Sequence, residues 1–185
     1  MKKYIILAGV NGAGKSTFYS STNKFSRYNK INLDEVVREI GDWRNTADVV
    51  KAGKIVIERM NQFFIHDESF SQETTLCGKS IIKNIEKAKQ LGYEVELHYV
   101  GVNSVDIAKE RVANRVANGG HGISEEDIER RYVESFENLK CIIGSCDWVA
   151  VYDNTDIFRR IAIYKKGKQV RLSSRVPDWF RKLDI

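Results

Sequence analysis

A chain of 185 residues with 42% hydrophobic content fits one compact domain with its own buried core. Thirty Lys and Arg against 25 Asp and Glu leave a formal charge of +5, which suits anionic ligands such as phosphates; the basic residues are scattered, so nothing calls for nucleic acid. No apolar run is long enough to cross a bilayer, the one after Met1-Lys2-Lys3 leads into a glycine loop instead of a cleavage site, and Cys77, Cys141 and Cys146 form neither a disulfide framework nor a zinc motif, so a reducing cytoplasm is the expected location.

Lys3 to Ala8 is an apolar, partly β-branched run stopped by glycine, which reads as a buried strand, and a helix follows from Ser16. Tyr28 to Asp34 is the second candidate strand. Thr46 to His66 carries Val49, Val50, Ile55, Val56, Met60, Phe63 and Phe64 at helical spacing, and Phe70 to Glu73 reads as a third strand. Lys79 to Leu91 is an amphipathic helix ended by Gly92, and Tyr93 to Val100 alternates as a fourth strand. A helix from about Ser104 to Asn118 is broken at Gly119-Gly120-His121-Gly122. Ser124 then supplies an N-cap hydroxyl, with Glu125, Glu126 and Asp127 in the first turn of a helix reaching about Ile143. Trp148 to Asp153 reads as a fifth strand. Ile161 to Tyr164 and Lys168 to Leu172, joined across Lys166-Gly167, read as a peripheral hairpin, and Pro177 opens a short tail. Strands alternating with helices predict an α/β fold over residues 1–185, with about five parallel strands covered on both faces and a small C-terminal hairpin.

The loop Gly9-Val10-Asn11-Gly12-Ala13-Gly14-Lys15-Ser16 fills every required position of GxxxxGK[ST]. Glycines there let backbone N–H groups turn toward phosphates, and the following helix presents its positive end to them. The expected ligand is a nucleoside triphosphate: Lys15 reaches the β- and γ-phosphates, Ser16 ligates Mg²⁺, and Thr17 extends the first helical turn. Ligands of such sheets bind at the carboxyl ends of the strands, so Asp34, read as ending the second strand, and Glu73, ending the third, come near the γ-phosphate. Asp34 is the candidate general base, with a helix N-cap as its plainer role. Glu73, followed by Thr74 and Thr75, is placed to grip acceptor hydroxyls or a metal-bound water.

Arg111 and Arg115 share one helical face, and Arg130 and Arg131 follow the glycine break, so residues 111–131 read as a mobile lid bringing cations to the transition state. Their plainer role is pairing with Glu110, Glu125, Glu126 and Glu129; His121 reads as a loop residue. A transporter-type ATPase lacks support because no LSGGQ-like signature occurs, and a GTPase because no NKxD occurs. Asp153-Asn154 falls at a strand mouth near the nucleotide base. The leading expectation is an ATP-dependent kinase acting on a small-molecule hydroxyl; a slowly hydrolysing switch or binding module, and a kinase of nucleic-acid 5′-hydroxyls, stay open as alternatives.

These residues resemble the zeta toxin or UDP-N-acetylglucosamine kinase family. The resemblance runs through AGxNGAGKST at Ala8 to Thr17, Asn-x-Asp at Asn32 to Asp34, Glu-Thr-Thr at Glu73 to Thr75 and Gly-Tyr-x-Val at Gly92 to Val95. It continues through Arg111 to His121, Arg-Arg-Tyr at Arg130 to Tyr132, and Asp153-Asn154. It implies that Lys15 binds phosphates, Asp34 is the catalytic base, Glu73 with Thr75 holds the acceptor, and Arg115 with Arg130 or Arg131 clamps the triphosphate. The resemblance implies a UDP-sugar as a candidate acceptor and an antitoxin protein as a candidate partner; the family pattern has an arginine two positions after Thr75 where this chain has Cys77, so the residues do not fix the acceptor, and an antitoxin is not assumed.

Overall fold

In the computed structural model, which describes residues 1–185, the first apolar run forms β1 (Lys3–Gly9), buried from Tyr4 to its end. Burial on both faces is what the centre of a parallel sheet requires. β3 (Phe70–Thr74) and β4 (Glu94–Gly101) flank β1 in parallel, with Leu7 opposite Glu73 on one side and His98 on the other. β2 (Asn29–Asn32) pairs with β3, and β5 (Trp148–Asp153) with β4, again in parallel. The five parallel strands therefore run β2-β3-β1-β4-β5. β6 (Arg159–Lys165) and β7 (Lys168–Leu172) extend that order in antiparallel fashion to a seven-stranded mixed sheet. The hairpin expected at the periphery is thus a continuation of the sheet: Ile161 to Tyr164 are buried beside β5, and only β7 remains an exposed edge.

The helices are α1 (Lys15–Ser21), α2 (Leu33–Ile40), α3 (Thr46–Ile65), α4 (Ser80–Gln90), α5 (Val105–Ala117), α6 (Glu125–Ile142) and α7 (Asp178–Arg181). Successive strand residues face opposite sides of the sheet. Tyr4, Ile6 and Ala8 of β1 and Val95, Leu97 and Tyr99 of β4 therefore share one core with α2, α3, α4, α7 and the end of α6. α3 enters that core through Ala52, Val56, Met60 and Phe64, a four-residue step that keeps one stripe inward. Leu7 and Val100 face the other way and pack with Val10, Ala13, and Ala108 and Val112 of α5. No helix is long and apolar enough to cross a membrane.

The segment read as a tail after Pro177 is α7, with Trp179 and Phe180 both buried. The Trp179 ring stacks on Phe136 at 5.0 Å and fills the space beside Gly101, where a Cβ would lie 2.5 Å from its Cζ2 atom. Its indole N–H donates to Asp153 Oδ1 at 3.0 Å. A four-residue helix carries no detectable periodicity, which is why the sequence shows only the proline. Trp179→Ala should cost ~3–5 kcal/mol of stability, the range for removing a large buried aromatic. A denaturant midpoint within error of the parent protein would show that α7 does not belong to the core.

Candidate active site

The loop after β1 is held from three sides. A Cβ on Gly9 would sit 2.0 Å from the Val100 carbonyl oxygen of β4, and Gly9 has φ +145°, so only glycine lets the chain leave β1 here. Gly14, at φ +90°, passes 2.6 Å from Asn154 Nδ2 on the same measure, and that amide donates to the Ala13 carbonyl at 2.9 Å. Gly12 lies against the Ala108 backbone of α5. Asn154 is therefore a strut under the loop, a more specific position than the neighbourhood of the nucleotide base expected for it. Asp153 is turned away: its carboxylate is taken by Thr155, Arg159 and Trp179.

Lys15 opens α1 and folds its ammonium back onto the Gly9 and Val10 carbonyls, at 2.9 and 3.1 Å. Burial pushes its pKa below the ordinary lysine value, while Glu73 and Asp34 pull it up. Ser16 and Thr17 are exposed in the cleft. Asn11 is buried, and its side-chain carbonyl has no hydrogen-bond partner.

Glu73, at the end of β3, is the most constrained acid in the site. One carboxylate oxygen accepts from the Ser16 hydroxyl at 2.8 Å, the other from Asn32 Nδ2 at 2.9 Å, and the Lys30 ammonium lies 3.5 Å away. Asn32 does a second job: its Oδ1 caps α2 by accepting from the Asp34 N–H at 2.8 Å. Asp34 therefore lies in the first turn of α2, and does not end β2 as expected. The N-cap role belongs to Asn32, which leaves the Asp34 carboxylate free to face the cleft. The strand is only Asn29–Asn32 because Asn32 stops it.

The lid expected over residues 111–131 comprises α5 from Arg111, the loop 118–124 and the start of α6, which begins as predicted with Ser124 Oγ accepting from the Asp127 N–H. Its arginines are not equivalent. Arg111 donates to the carbonyls of Asn154 and Thr155, both at 2.8 Å, so it ties α5 to the β5 end and is not a free clamp. Arg115 has two buried guanidinium nitrogens, Nε and Nη2, without any partner. Buried polar groups are normally satisfied, and an unpaired guanidinium in a cleft fits an anion. Arg130 is 59% exposed and pairs with Asp127 and Glu134 at 2.6 and 3.1 Å; Arg131 lies 3.8 Å from Asp127. The plainer role of ion pairing holds for Arg130 and Arg131, though with partners other than those expected, since Lys109 takes Glu125 and Glu129.

Lys15, Ser16, Asp34, Glu73, Arg115 and Arg130 line one cleft of about 960 Å³. The same cleft is lined by Val56, Ile57 and Met60 of α3, by Thr74 and Thr75, and by Lys83 and Asn84 of α4, which together form its acceptor-sized lobe. Cys77 lies in this lobe within 3.6 Å of the Thr75 carbonyl and 3.5 Å of the Arg131 carbonyl, and burial pushes its pKa up, so it stays a neutral thiol. Sequence reasoning missed Asn32 and Lys30 as holders of Glu73, and gave His121 only a place in a loop. The structure puts the His121 Nε2 atom 3.5 Å from Asp34 Oδ1.

The family model of the zeta toxins matches residues 1–175. The chain belongs to the zeta toxin family. An uncharacterised Haemophilus influenzae protein is 35% identical over 130 residues, 70% of this chain and 92% of that one. Among solved structures, this zeta toxin family member is similar in fold to a chain of the AvrRxo1-ORF1:AvrRxo1-ORF2 complex solved with sulphate ions, at a TM-score of 0.75 and 13% identity. That match covers 99% of this chain but 63% of that one. The PezAT toxin–antitoxin system of Streptococcus pneumoniae matches with a TM-score of 0.64 and 18% identity, over 94% of this chain and 74% of that one. These likenesses establish the α/β fold, a mixed sheet flanked by helices with the glycine loop after its first strand.

Proposed function

We propose that this zeta toxin family member is an ATP- and Mg²⁺-dependent kinase that transfers the γ-phosphoryl group to a hydroxyl of a small molecule. The observation that carries this reading is the meeting, in one cleft, of a phosphate loop, the half-buried Arg115 with its Nε and Nη2 atoms unpaired, and the Asp34 carboxylate. Lys15 leaves the Gly9 and Val10 carbonyls for the β- and γ-phosphates, and Arg115 takes the γ-phosphate from the lid. Asp34 accepts the proton of the acceptor hydroxyl as that oxygen attacks the γ-phosphorus, and the bond to the β,γ-bridging oxygen breaks to release ADP.

The Ser16 hydroxyl and the Glu73 carboxylate, 2.8 Å apart, are hard oxygen donors of the kind Mg²⁺ takes, and no cluster of three His, Cys, Asp or Glu competes for it. Bound there, Mg²⁺ would neutralise charge on the β- and γ-phosphate oxygens. Glu73 is thereby better supported as a holder of Ser16 and of metal-bound water than as a direct grip on the acceptor, which falls to Thr75 and the rest of the lobe. Arg130 and Arg131 stand at the rim, where they could reach the acceptor after exchanging Asp127 for it. UDP-sugars are the first acceptors to try, with Cys77 standing where the family pattern has an arginine.

The Arg115 assignment predicts a difference between nucleotides. Charged hydrogen bonds contribute ~1.5–3 kcal/mol, so Arg115→Ala should weaken ATP about tenfold to a hundredfold and leave ADP nearly unchanged. Calorimetric titration with both nucleotides measures this. Equal losses for ATP and ADP would show that Arg115 does not meet the terminal phosphate.

A further inference from the structure

His121 sits in the loop between α5 and α6 with its side chain only 11% exposed, and Nε2 lies 3.5 Å from Asp34 Oδ1. Its ring leans on Trp43, in the loop between α2 and α3, at 5.3 Å between centroids. Glycines on either side press it into place. A Cβ on Gly122 would fall 2.6 Å from Val116 Cγ2 and 2.9 Å from Trp43 Cη2, and one on Gly120 would fall 2.5 Å from Arg115 Cγ. The Gly120 N–H also donates to the Arg115 carbonyl at 2.8 Å. The residue with the unpaired guanidinium and the residue touching Asp34 are thus fixed to one another by the same short turn.

We infer that His121 is a positioning residue: seated by the lid between Trp43 and α5, it holds the Asp34 carboxylate in the orientation that receives the acceptor proton, and it does so in step with Arg115 engaging the triphosphate. This rests on the reading of Asp34 as general base.

The chemistry of the pair fits that role. A carboxylate only accepts hydrogen bonds, so Nε2 must carry the ring proton and Nδ1 is left as a lone pair; Nδ1 is indeed buried without a partner. The charges facing the ring are Asp34 and Arg38 from α2, Arg115 from α5 and Arg131 from α6. Burial pushes the His121 pKa below its ordinary value; Asp34 pulls it up, and the three arginines push it down. The ring is therefore neutral at neutral pH. A neutral N–H donor orients a carboxylate without cancelling the charge that makes it a base, which a lysine or arginine in the same place would do. The 3.5 Å separation is long for a hydrogen bond, and catalytic contacts of this kind tighten when the nucleotide is bound.

The test is the imidazole ¹⁵N spectrum of the whole chain, titrated between about pH 5 and about pH 8, for the parent protein and Asp34→Asn, with and without Mg²⁺ and the β,γ-imido analogue of ATP. The expected result is an Nε2-protonated tautomer whose titration midpoint falls by about half a unit or more in Asp34→Asn, with a larger difference when the analogue is bound. The same midpoint in both folded proteins overturns the inference. That failure is distinguishable from failure of the base assignment, which is judged by phosphoryl transfer in Asp34→Asn alone. A kinetic comparison separates positioning from packing. His121→Gln keeps an N–H near the Nε2 position and should retain turnover within about threefold, whereas His121→Ala should lose about tenfold or more in kcat with the KM for ATP unchanged. Equal losses in the two variants would reduce His121 to a packing residue.

Discussion

Asp34→Asn is expected to bind ATP as the parent protein does and to transfer phosphate ~10²–10⁴ times more slowly, the range for removing a positioned general base. The substitution keeps the shape of the side chain, and the α2 cap is supplied by Asn32, so the helix does not depend on the lost charge. The Asp34 side chain is 38% exposed and its one contact within 4 Å of an ionisable partner is the 3.5 Å approach of His121, so the fold should tolerate the change. Calorimetry with ATP and labelled-phosphate transfer measure the two halves of the prediction separately. Unchanged turnover would make Asp34 a first-turn carboxylate favoured by the helix dipole and nothing more.

Lys15→Ala is expected to weaken ATP about tenfold to a hundredfold, following from ~1.5–3 kcal/mol for a charged hydrogen bond, and to lower transfer further, because the ammonium follows charge developing on the γ-phosphoryl oxygens. Removing it frees the Gly9 and Val10 carbonyls at 2.9 and 3.1 Å. Val10 keeps its bond from the Ala13 N–H, and Gly9 stays packed against Val100, so the loop should hold its shape. An ATP affinity equal to the parent value would contradict the assignment of this loop to a triphosphate.

What could be read along the chain was whatever its local chemistry fixes. The glycine loop is legible because positive φ at Gly9 and Gly14, and the close approach of the Val100 backbone at Gly9, favour glycine alone. β1 and β5 are legible because they are apolar runs buried on both faces, and Ser124 is legible as an N-cap because its partner is three residues away. Non-local contacts were not. Arg111 and Arg115 have the same helical environment in sequence, yet the carbonyls of Asn154 and Thr155, arriving from the end of β5, occupy one and leave the other unpaired. The role of His121 depends on Trp43, which lies on a different loop. Asp34 was moved off the strand by Asn32, whose side chain bonds both across the sheet to Glu73 and forward to the helix, a pair of contacts that no periodicity reveals. The hairpin was placed outside the sheet because its internal turn is local and its pairing with β5 is not.

The most direct measurement of the central claim is ³¹P NMR of Mg²⁺-ATP incubated with the protein and a mixture of sugar nucleotides, nucleosides and aminoglycoside-like acceptors. A kinase converts the γ-phosphate resonance into that of a phosphomonoester on one acceptor, with stoichiometric ADP, and the conversion disappears in Asp34→Asn and Lys15→Ala. Inorganic phosphate as the sole product, whatever acceptor is supplied, would contradict the account and mark the cleft as that of a nucleotide-hydrolysing switch.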